Sequence, residues 1–160
     1  MHHHTHRDAQ KSTLISLSFF SQSTQDFELM GLMRLLLQSY LNNQKSGITG
    51  MLFYDGKSFS QIMEGPAQAI DERWQCILTD YRHEKIHLMS RHLISSRQYS
   101  TWSMRTRDGG IIAAMFPELA GIIDENNTNQ TPYEMIRSVN YPARMNQTQA
   151  AQTIALPILH

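Results

Sequence analysis

Residues 47–66, GITGMLFYDGKSFSQIMEGP, decide the fold of this chain because they predict a β-hairpin. The segments 48–54 and 58–64 are rich in apolar, β-branched or aromatic side chains, and both have the length of a strand. Between them lies Asp55-Gly56, a dipeptide that favours a two-residue turn in which both positions take a positive φ. We therefore expect two antiparallel strands joined by a tight turn.

The sequence before the hairpin predicts a strand followed by a helix. Apolar and small polar residues alternate over 13–20, TLISLSFF, as in a half-buried strand. Asp26 is in a position to cap the following helix, which should fray at Asn42-Asn43 before the turn at Gly47. Apolar residues at helical spacing predict the inner face of this helix, namely Phe27, Met30, Met33, Leu36, Leu37, Tyr40 and Leu41.

The sequence after the hairpin predicts a second helix and two more strands. The helix runs over 67–81, and its predicted inner face consists of Ile70, Trp74, Ile77, Leu78 and Tyr81. Strands follow over 87–94 and 99–105, so the order of elements is β-α-β-β-α-β-β. This order predicts an α/β sandwich of the α+β class on the ferredoxin-like plan, with a mixed sheet. Both helices should lie on one face of the sheet because β-α-β crossovers are right-handed.

Three regions make up the predicted domain organisation. Residues 13–106 form the domain, and the His-rich arm 1–12 is either the remnant of an added tag or a disordered native tail. Residues 107–160 hold short helical segments that cannot build a second core. We expect this C-terminal helical extension to cover the open face of the sheet or to form a surface for a partner.

Composition excludes several classes of protein. Fourteen basic residues balance fourteen acidic ones, so no bulk charge attracts nucleic acid or anionic lipid. No apolar run approaches the ~18 residues that span a membrane, and the start lacks a signal-peptide core, so we expect a soluble cytoplasmic protein. Cys76 is the only cysteine, which excludes an intrachain disulfide and a thiol-based metal site, and we expect it to be a small buried hydrophobe.

Four clusters could carry chemistry, and each has a purely structural alternative. Gln61 lies between apolar neighbours and could face solvent on a half-exposed sheet, while Asn43 could be a helix C-cap. Arg82-His83 could be a solvated helix end, and Trp102 and Met104, on one face of the last strand, could be core residues. No cluster taken alone distinguishes a functional site from ordinary structure.

The four clusters together resemble the signature of the BLUF family, the sensors of blue light using FAD. The motifs are NN-x3-GITG, F-x-Q-x2-EGP, D-x-RH and W-x-M, and they occur over 13–106 in the order and spacing of that family. The resemblance implies a ferredoxin-like domain that holds FAD between its two helices and senses blue light. FMN or riboflavin could take the place of FAD, since the residues that would bind the adenosine end are not evident.

The resemblance also implies a role for each matching residue. Asn43 matches the asparagine whose amide holds a flavin carbonyl and ring N–H, and Gln61 matches the glutamine that hydrogen-bonds flavin N5 and O4. Carboxamides suit this task because they donate and accept hydrogen bonds without burying charge. The other implied flavin contacts are Trp102 and Met104, which alternate beside the glutamine, Arg82 and His83 along the ribityl and dimethylbenzene side, and Phe59 and Ile77 on the ring.

One position departs from the family pattern. The family begins its photochemistry with a tyrosine on the first strand, and the alignment of LISLSFFSQ places Phe19 there. Phenylalanine has no hydroxyl, so it can neither hydrogen-bond Gln61 nor give up an electron and a proton together. Either Phe19 is an engineered replacement of a natural tyrosine, or the natural protein is a divergent or silent member. In both cases we expect FAD to bind and the light switch to be absent or severely reduced.

Three functions stay open from the sequence. The leading one is a light-sensing module, not an enzyme, that signals through hydrogen-bond rearrangement around Gln61 to an unknown downstream protein or through self-association as a dimer or larger oligomer. The second is a small flavin-dependent oxidoreductase, which would need an acid or base beside the flavin, a role for which Gln61 is poorly suited. The third is a ferredoxin-like module that binds RNA or protein without a cofactor.

Overall fold

The computed structural model describes residues 13–106, 109–115, 117, 120–124 and 131–140. Within these ranges the elements are β1 (Leu14–Ser23), α1 (Leu29–Lys45), β2 (Thr49–Tyr54), β3 (Ser58–Pro66), α2 (Ala67–Leu78), β4 (His83–Leu93), β5 (Trp102–Thr106), α3 (Gly109–Met115) and α4 (Pro132–Asn140). The predicted order β-α-β-β-α-β-β is confirmed, and the arm 1–12 lies outside the described residues. None of the described helices has both the length and the apolar composition needed to cross a bilayer.

The strands form one mixed sheet in the order β4-β1-β3-β2-β5. The pairs β4-β1, β1-β3 and β3-β2 are antiparallel, and β5 pairs parallel to β2. Four side chains line up across this sheet, because Phe19 lies opposite Gln61, Gln61 opposite Leu52, and Leu52 opposite Met104. Since directly opposite residues share a face, this cross-strand row places all four side chains on the same side of the sheet.

Both α1 and α2 pack on that same side, as predicted. Alternate residues of each strand point toward the helices because side chains in a strand have a period of two. The buried cluster between the two layers contains Leu32, Leu35 and Leu36 of α1, Ile70 of α2, and from the sheet Ile15, Leu17, Phe19, Leu52, Tyr54, Phe59, Met63, Trp102 and Met104. The ferredoxin-like fold predicted from the sequence is therefore confirmed.

The opposite face of the sheet is partly covered by α4. Pro132 and Ile136 are buried there, and the ring of Tyr133 packs edge-on against Phe20 of β1 with centroids 5.6 Å apart. Phe20 points to this face because its neighbour Phe19 points to the helices. Among the described residues of the extension, α4 therefore packs on the face of the sheet opposite to α1 and α2.

A short segment, residues 122–124, lies beside β5 at the edge of the sheet. The backbone N–H of Met104 donates to the carbonyl oxygen of Ile122 at 2.8 Å, and the N–H of Asp124 donates to the carbonyl oxygen of Met104 at 2.7 Å. The guanidinium of Arg105 reaches the Asp124 carboxylate at 2.5 Å. The strand that carries Met104 is thus joined to the C-terminal extension by backbone bonds and an ion pair.

The first helix differs from the prediction at both ends. The N-cap residue of α1 is Glu28, and its side chain makes no capping hydrogen bond to the helix. The predicted cap at Asp26 is therefore wrong. Instead of fraying at Asn42-Asn43, the helix continues to Lys45, where the N–H of Ser46 closes the last turn on the carbonyl oxygens of both asparagines. Asn43 is therefore an interior helix residue, not a C-cap.

Several side chains predicted to face the core are exposed. Because α2 ends at Leu78, Tyr81 falls in the turn that follows and is 80% exposed. The expectation of a buried Cys76 is also wrong, because Cys76 comes two residues after Trp74 and so points to nearly the opposite side of the helix. Three residues predicted to lie on the inner face of α1 are exposed, namely Met30, Leu37 and Leu41.

The hairpin turn has one positive φ instead of the two predicted. Gly56 has φ of 96°, whereas Asp55 is not among the described residues with positive φ. The Asp55 carboxylate accepts hydrogen bonds from the backbone N–H groups of Lys57 and Ser58, at 2.9 and 2.8 Å. The backbone N–H of Asp55 also donates to the carbonyl oxygen of Ser58 at 3.3 Å, so the turn is centred on Gly56 and Lys57 and not on the predicted Asp55-Gly56.

Candidate functional site

A cleft between α1 and α2 opens onto the helix-facing side of the sheet. The space between its walls is about 430 Å³ when the open mouth is included. The side chains that line it are Phe19, Leu35, Ser39, Leu52, Phe59, Gln61, Ile77, Asp80, Arg82 and His83. Six of these were predicted as site residues from the sequence: Phe19, Phe59, Gln61, Ile77, Arg82 and His83.

Gln61 forms the floor of the cleft together with its two cross-strand neighbours. Its side chain is only 8% exposed, so the alternative in which it faces solvent is wrong. Phe19 lies directly opposite on one flanking strand and Leu52 on the other. A neutral group that both donates and accepts hydrogen bonds is therefore held on an otherwise apolar floor.

Asn43 is not among the residues that line the cleft, but it has a buried polar atom without a partner among the described residues. Its side chain is 1% exposed, and no hydrogen-bond donor among the described residues reaches its buried Oδ1. Its backbone is well fixed, since its carbonyl oxygen accepts from the N–H of Ile48 at 2.9 Å. An unsatisfied buried acceptor costs about 1–3 kcal/mol, so a ligand that donates a hydrogen bond to it would recover this energy.

His83 is held in one tautomer at the edge of the cleft. Its Nε2 lies 2.8 Å from the carbonyl oxygen of Ile77, which can only accept, so Nε2 carries a proton. Its Nδ1 lies 2.9 Å from the hydroxyl of Ser21, which donates to it when the ring is neutral. Burial lowers the pKa of His83 below its ordinary value of 6.5, and the bond to Ile77 only partly opposes this.

Arg82 and Asp80 form an ion pair in the wall of the cleft. The guanidinium binds both carboxylate oxygens, from Nε to Oδ1 at 2.9 Å and from a terminal nitrogen to Oδ2 at 2.6 Å. Burial pushes the pKa of Asp80 up, but the side-chain and backbone hydrogen bonds and the charge of Arg82 outweigh it, so this pKa is lowered. The positive charge of Arg82 is therefore largely matched by its own neighbour.

Aromatic rings surround the floor. Phe19 packs against Trp74 and His83, with ring centroids 5.4 and 6.0 Å apart. On the other side of His83, Phe59 is stacked on Tyr54 at 4.5 Å with the ring planes 25° apart. Flat, apolar surfaces of this kind suit a planar ligand ring.

Trp102 and Met104 do not line the cleft. Both are buried in the core on β5, and Leu52 lies between Met104 and Gln61 in the cross-strand row. Trp102 lies opposite Gly50. A Cβ added at Gly50 would lie only 1.9 Å from the carbonyl oxygen of Ile62, so the backbone there leaves no room for a side chain. Their implied position beside Gln61 stays a prediction.

Four lining residues were not assigned a role from the sequence. Leu35 and Ser39 are one helical turn apart on α1, a spacing that predicts neighbouring positions on one face. Leu52 pairs with Gln61, whereas the predicted two-residue turn at Asp55-Gly56 would have placed Gly50 there. Asp80 was visible as the first residue of the D-x-RH motif.

Comparisons with known proteins agree on one family. The family model of sensors of blue-light using FAD (BLUF) matches residues 14–105. The photoactivated adenylate cyclase subunit beta of Euglena longa is 28% identical over 115 residues, which are 71% of this chain and only 13% of that relative. Among solved structures, the dark state of BlrB, a BLUF protein, is 29% identical with a TM-score of 0.58 and covers 80% of this chain and 96% of its own. A bacterial light-regulated adenylyl cyclase is 29% identical with a TM-score of 0.55, over 68% of this chain and 34% of its own.

Proposed function

The chain belongs to the BLUF family of blue-light sensors, and from this premise we propose that it binds a flavin in the cleft between α1 and α2. The observation that carries the proposal is the buried carboxamide of Gln61 on the floor of that cleft, opposite Phe19. The unsatisfied Oδ1 of Asn43 and the aromatic walls also fit a flat ring that has both donors and acceptors on one edge.

Gln61 and Asn43 would hold the polar edge of the ring. The flavin, when bound, supplies absorption of blue light. The Gln61 side chain carries two donor hydrogens and one acceptor oxygen, so a rotation of its amide exchanges donor for acceptor with little change in shape. This exchange is the elementary step by which the protein would register light.

Phe19 limits this step in the present chain. It is 1% exposed and packs directly opposite Gln61, at the position where the family has a tyrosine. A phenylalanine ring can fill that space, but it offers no hydroxyl to bond to the Gln61 amide and no proton to transfer. We therefore expect flavin binding to persist and the rearrangement of Gln61 under light to be absent or severely reduced.

The cleft favours the flavin ring over the rest of the cofactor. Arg82 is the one permanently charged cation among the side chains described as lining it, and Asp80 already binds it at two points. A phosphate would compete with this carboxylate for the guanidinium. FAD is the flavin of the family, and FMN and riboflavin should bind with similar strength.

Output should pass to a protein partner or to self-association. The curated relatives carry cyclase in their names, and this chain spans 13% or less of the first four of them. Residues 122–124 of the extension are bonded to Met104 through the backbone of Ile122 and Asp124. The extension is therefore the surface through which a change in β5 would reach a partner, and we expect no substrate turnover by this chain itself.

An absorption spectrum before and after blue light tests the proposal. The purified chain supplied with FAD should be yellow and should show no reversible red shift. The variant F19Y should bind FAD equally well and gain the red shift. A colourless protein that takes up no flavin would overturn the binding proposal, and a reversible red shift with Phe19 in place would overturn the impairment.

A further inference from the structure

Trp74 lies one aromatic ring away from the cleft. It is half-buried on α2, and its ring centroid is 5.4 Å from that of Phe19, with the planes tilted by 50°. Phe19 itself lines the cleft, and so does Ile77, one helical turn after Trp74 on the same side of α2. An electron leaving Trp74 thus has a path of packed rings to any ligand on the cleft floor.

The aromatic side chains nearest to the cleft differ in how easily they lose an electron. Phe19 and Phe59, which line it, are hard to oxidise because a benzene ring without a heteroatom holds its electrons tightly. Behind Phe59 lies Tyr54, whose phenol must release its proton when it is oxidised. Burial raises the pKa of Tyr54, which makes the loss of that proton harder.

An indole is not restricted in this way, because it can lose one electron and remain as a radical cation with its proton in place. The chain has two tryptophans, Trp74 and Trp102. Trp102 lies on β5, opposite Gly50 and three strands away from Phe19 in the sheet order. Trp74 is the one in ring contact with a residue of the cleft.

We propose that Trp74 is the electron donor that quenches a flavin held in this cleft, an inference that rests on the proposed function. In the forward step the indole loses one electron and the light-excited flavin gains it. In the return step the same electron goes back, so no reagent is consumed and no bond is made or broken. No proton moves, because the side chain between the two rings is Phe19. The excitation is thereby dissipated without a change in the hydrogen bonds of Gln61.

The test compares two variants of the full chain loaded with FAD, W74F and the control Y133F, whose ring lies on the opposite face of the sheet against Phe20. The fluorescence lifetime of the bound flavin should lengthen several-fold in W74F and stay unchanged in Y133F. The transient visible absorption of the indole radical should appear in the parent and in Y133F and be lost in W74F. An unchanged lifetime in W74F, or an equal lengthening in Y133F, would overturn the inference.

Two further measurements keep the outcome unambiguous. A titration with FAD in the dark gives the dissociation constant of each variant, so a failure to bind flavin in the parent counts against the proposed function and not against Trp74 in particular. If W74F does not fold, 5-fluorotryptophan in the W102F background supplies an indole of almost the same size that is harder to oxidise. The lifetime should lengthen there as well, and an unchanged lifetime would refute the role of Trp74.

Discussion

Replacing Asn43 by leucine should stabilise the flavin-free protein and weaken flavin binding at the same time. The buried Oδ1 of Asn43 lacks a donor among the described residues, a state that costs about 1–3 kcal/mol. Leucine has the same branching without a polar atom. Its methyl groups are larger, and the packing strain they cause offsets up to about 1.5 kcal/mol of the free energy gained by removing the unsatisfied oxygen. The net gain of about 1 kcal/mol corresponds to a rise in Tm of roughly 2–4 °C for a chain of this size.

The same substitution removes an acceptor for the flavin. The lost hydrogen bond and the donor left unpaired on the ligand together cost about 2–4 kcal/mol. The dissociation constant should therefore increase roughly thirtyfold to a thousandfold. The two effects have opposite signs because the group that destabilises the empty protein is the one that recognises the ligand.

The assay is thermal unfolding without flavin together with a titration that follows quenching of flavin fluorescence. Asn42 provides the matched control, since it is the neighbouring residue on α1, is half-buried and has no unsatisfied buried atom. N42L should leave the affinity for flavin unchanged. An N43L protein that melts lower than the parent and binds flavin as tightly would refute the role assigned to Asn43.

Three further substitutions test other parts of the structure. Burial lowers the pKa of His83 below 6.5, so the neutral ring stabilises the fold fully above pH 6.5 and this stability is lost as the pH falls through the lowered pKa. H83Q should therefore flatten the decrease in unfolding free energy between about pH 7.5 and pH 5. An unchanged pH profile would contradict this. G50A would place a Cβ 1.9 Å from a β3 carbonyl oxygen at φ of 145° and should cost more than about 3 kcal/mol in urea unfolding, whereas G121A, with nothing within 4 Å, should be nearly neutral. D80N should free Arg82 for a phosphate and raise the ratio of FAD to riboflavin affinity by up to about tenfold; equal ratios in parent and variant would show that Arg82 does not face the phosphates.

Part of the floor of the site follows directly from the sequence. A period of two places Phe59, Gln61 and Met63 of β3 on one side of the sheet. The pairing with β2 did not follow from the sequence, because a two-residue turn at Asp55-Gly56 would pair Gly50 with Gln61, whereas the structure pairs Leu52 with it. The crossover rule puts both helices on that side. A cleft above Gln61 is therefore predictable from the amino-acid sequence, because it depends on local pattern and handedness alone.

The exposure of the helix residues was not predictable in the same way. Apolar side chains occur almost all round α1, so periodicity alone cannot tell whether Leu35 or Leu37 faces the sheet, and the structure buries the first and exposes the second. The orphaned oxygen of Asn43 could not be predicted either. It depends on the helix continuing past Asn43, which the two consecutive asparagines argued against.

Position 19 shows why fold and photochemistry can separate in this family. The packing around it requires a flat ring between Trp74 and His83, and phenylalanine meets that requirement as fully as tyrosine would. On the function proposed above, the light response requires one more atom, a hydroxyl directed at the amide of Gln61, and the ring contacts do not depend on that atom. A change from tyrosine to phenylalanine therefore leaves the core intact, and similarity of sequence or of fold cannot detect the loss. The light response of a BLUF domain has to be argued from that atom and not from the family to which the chain belongs.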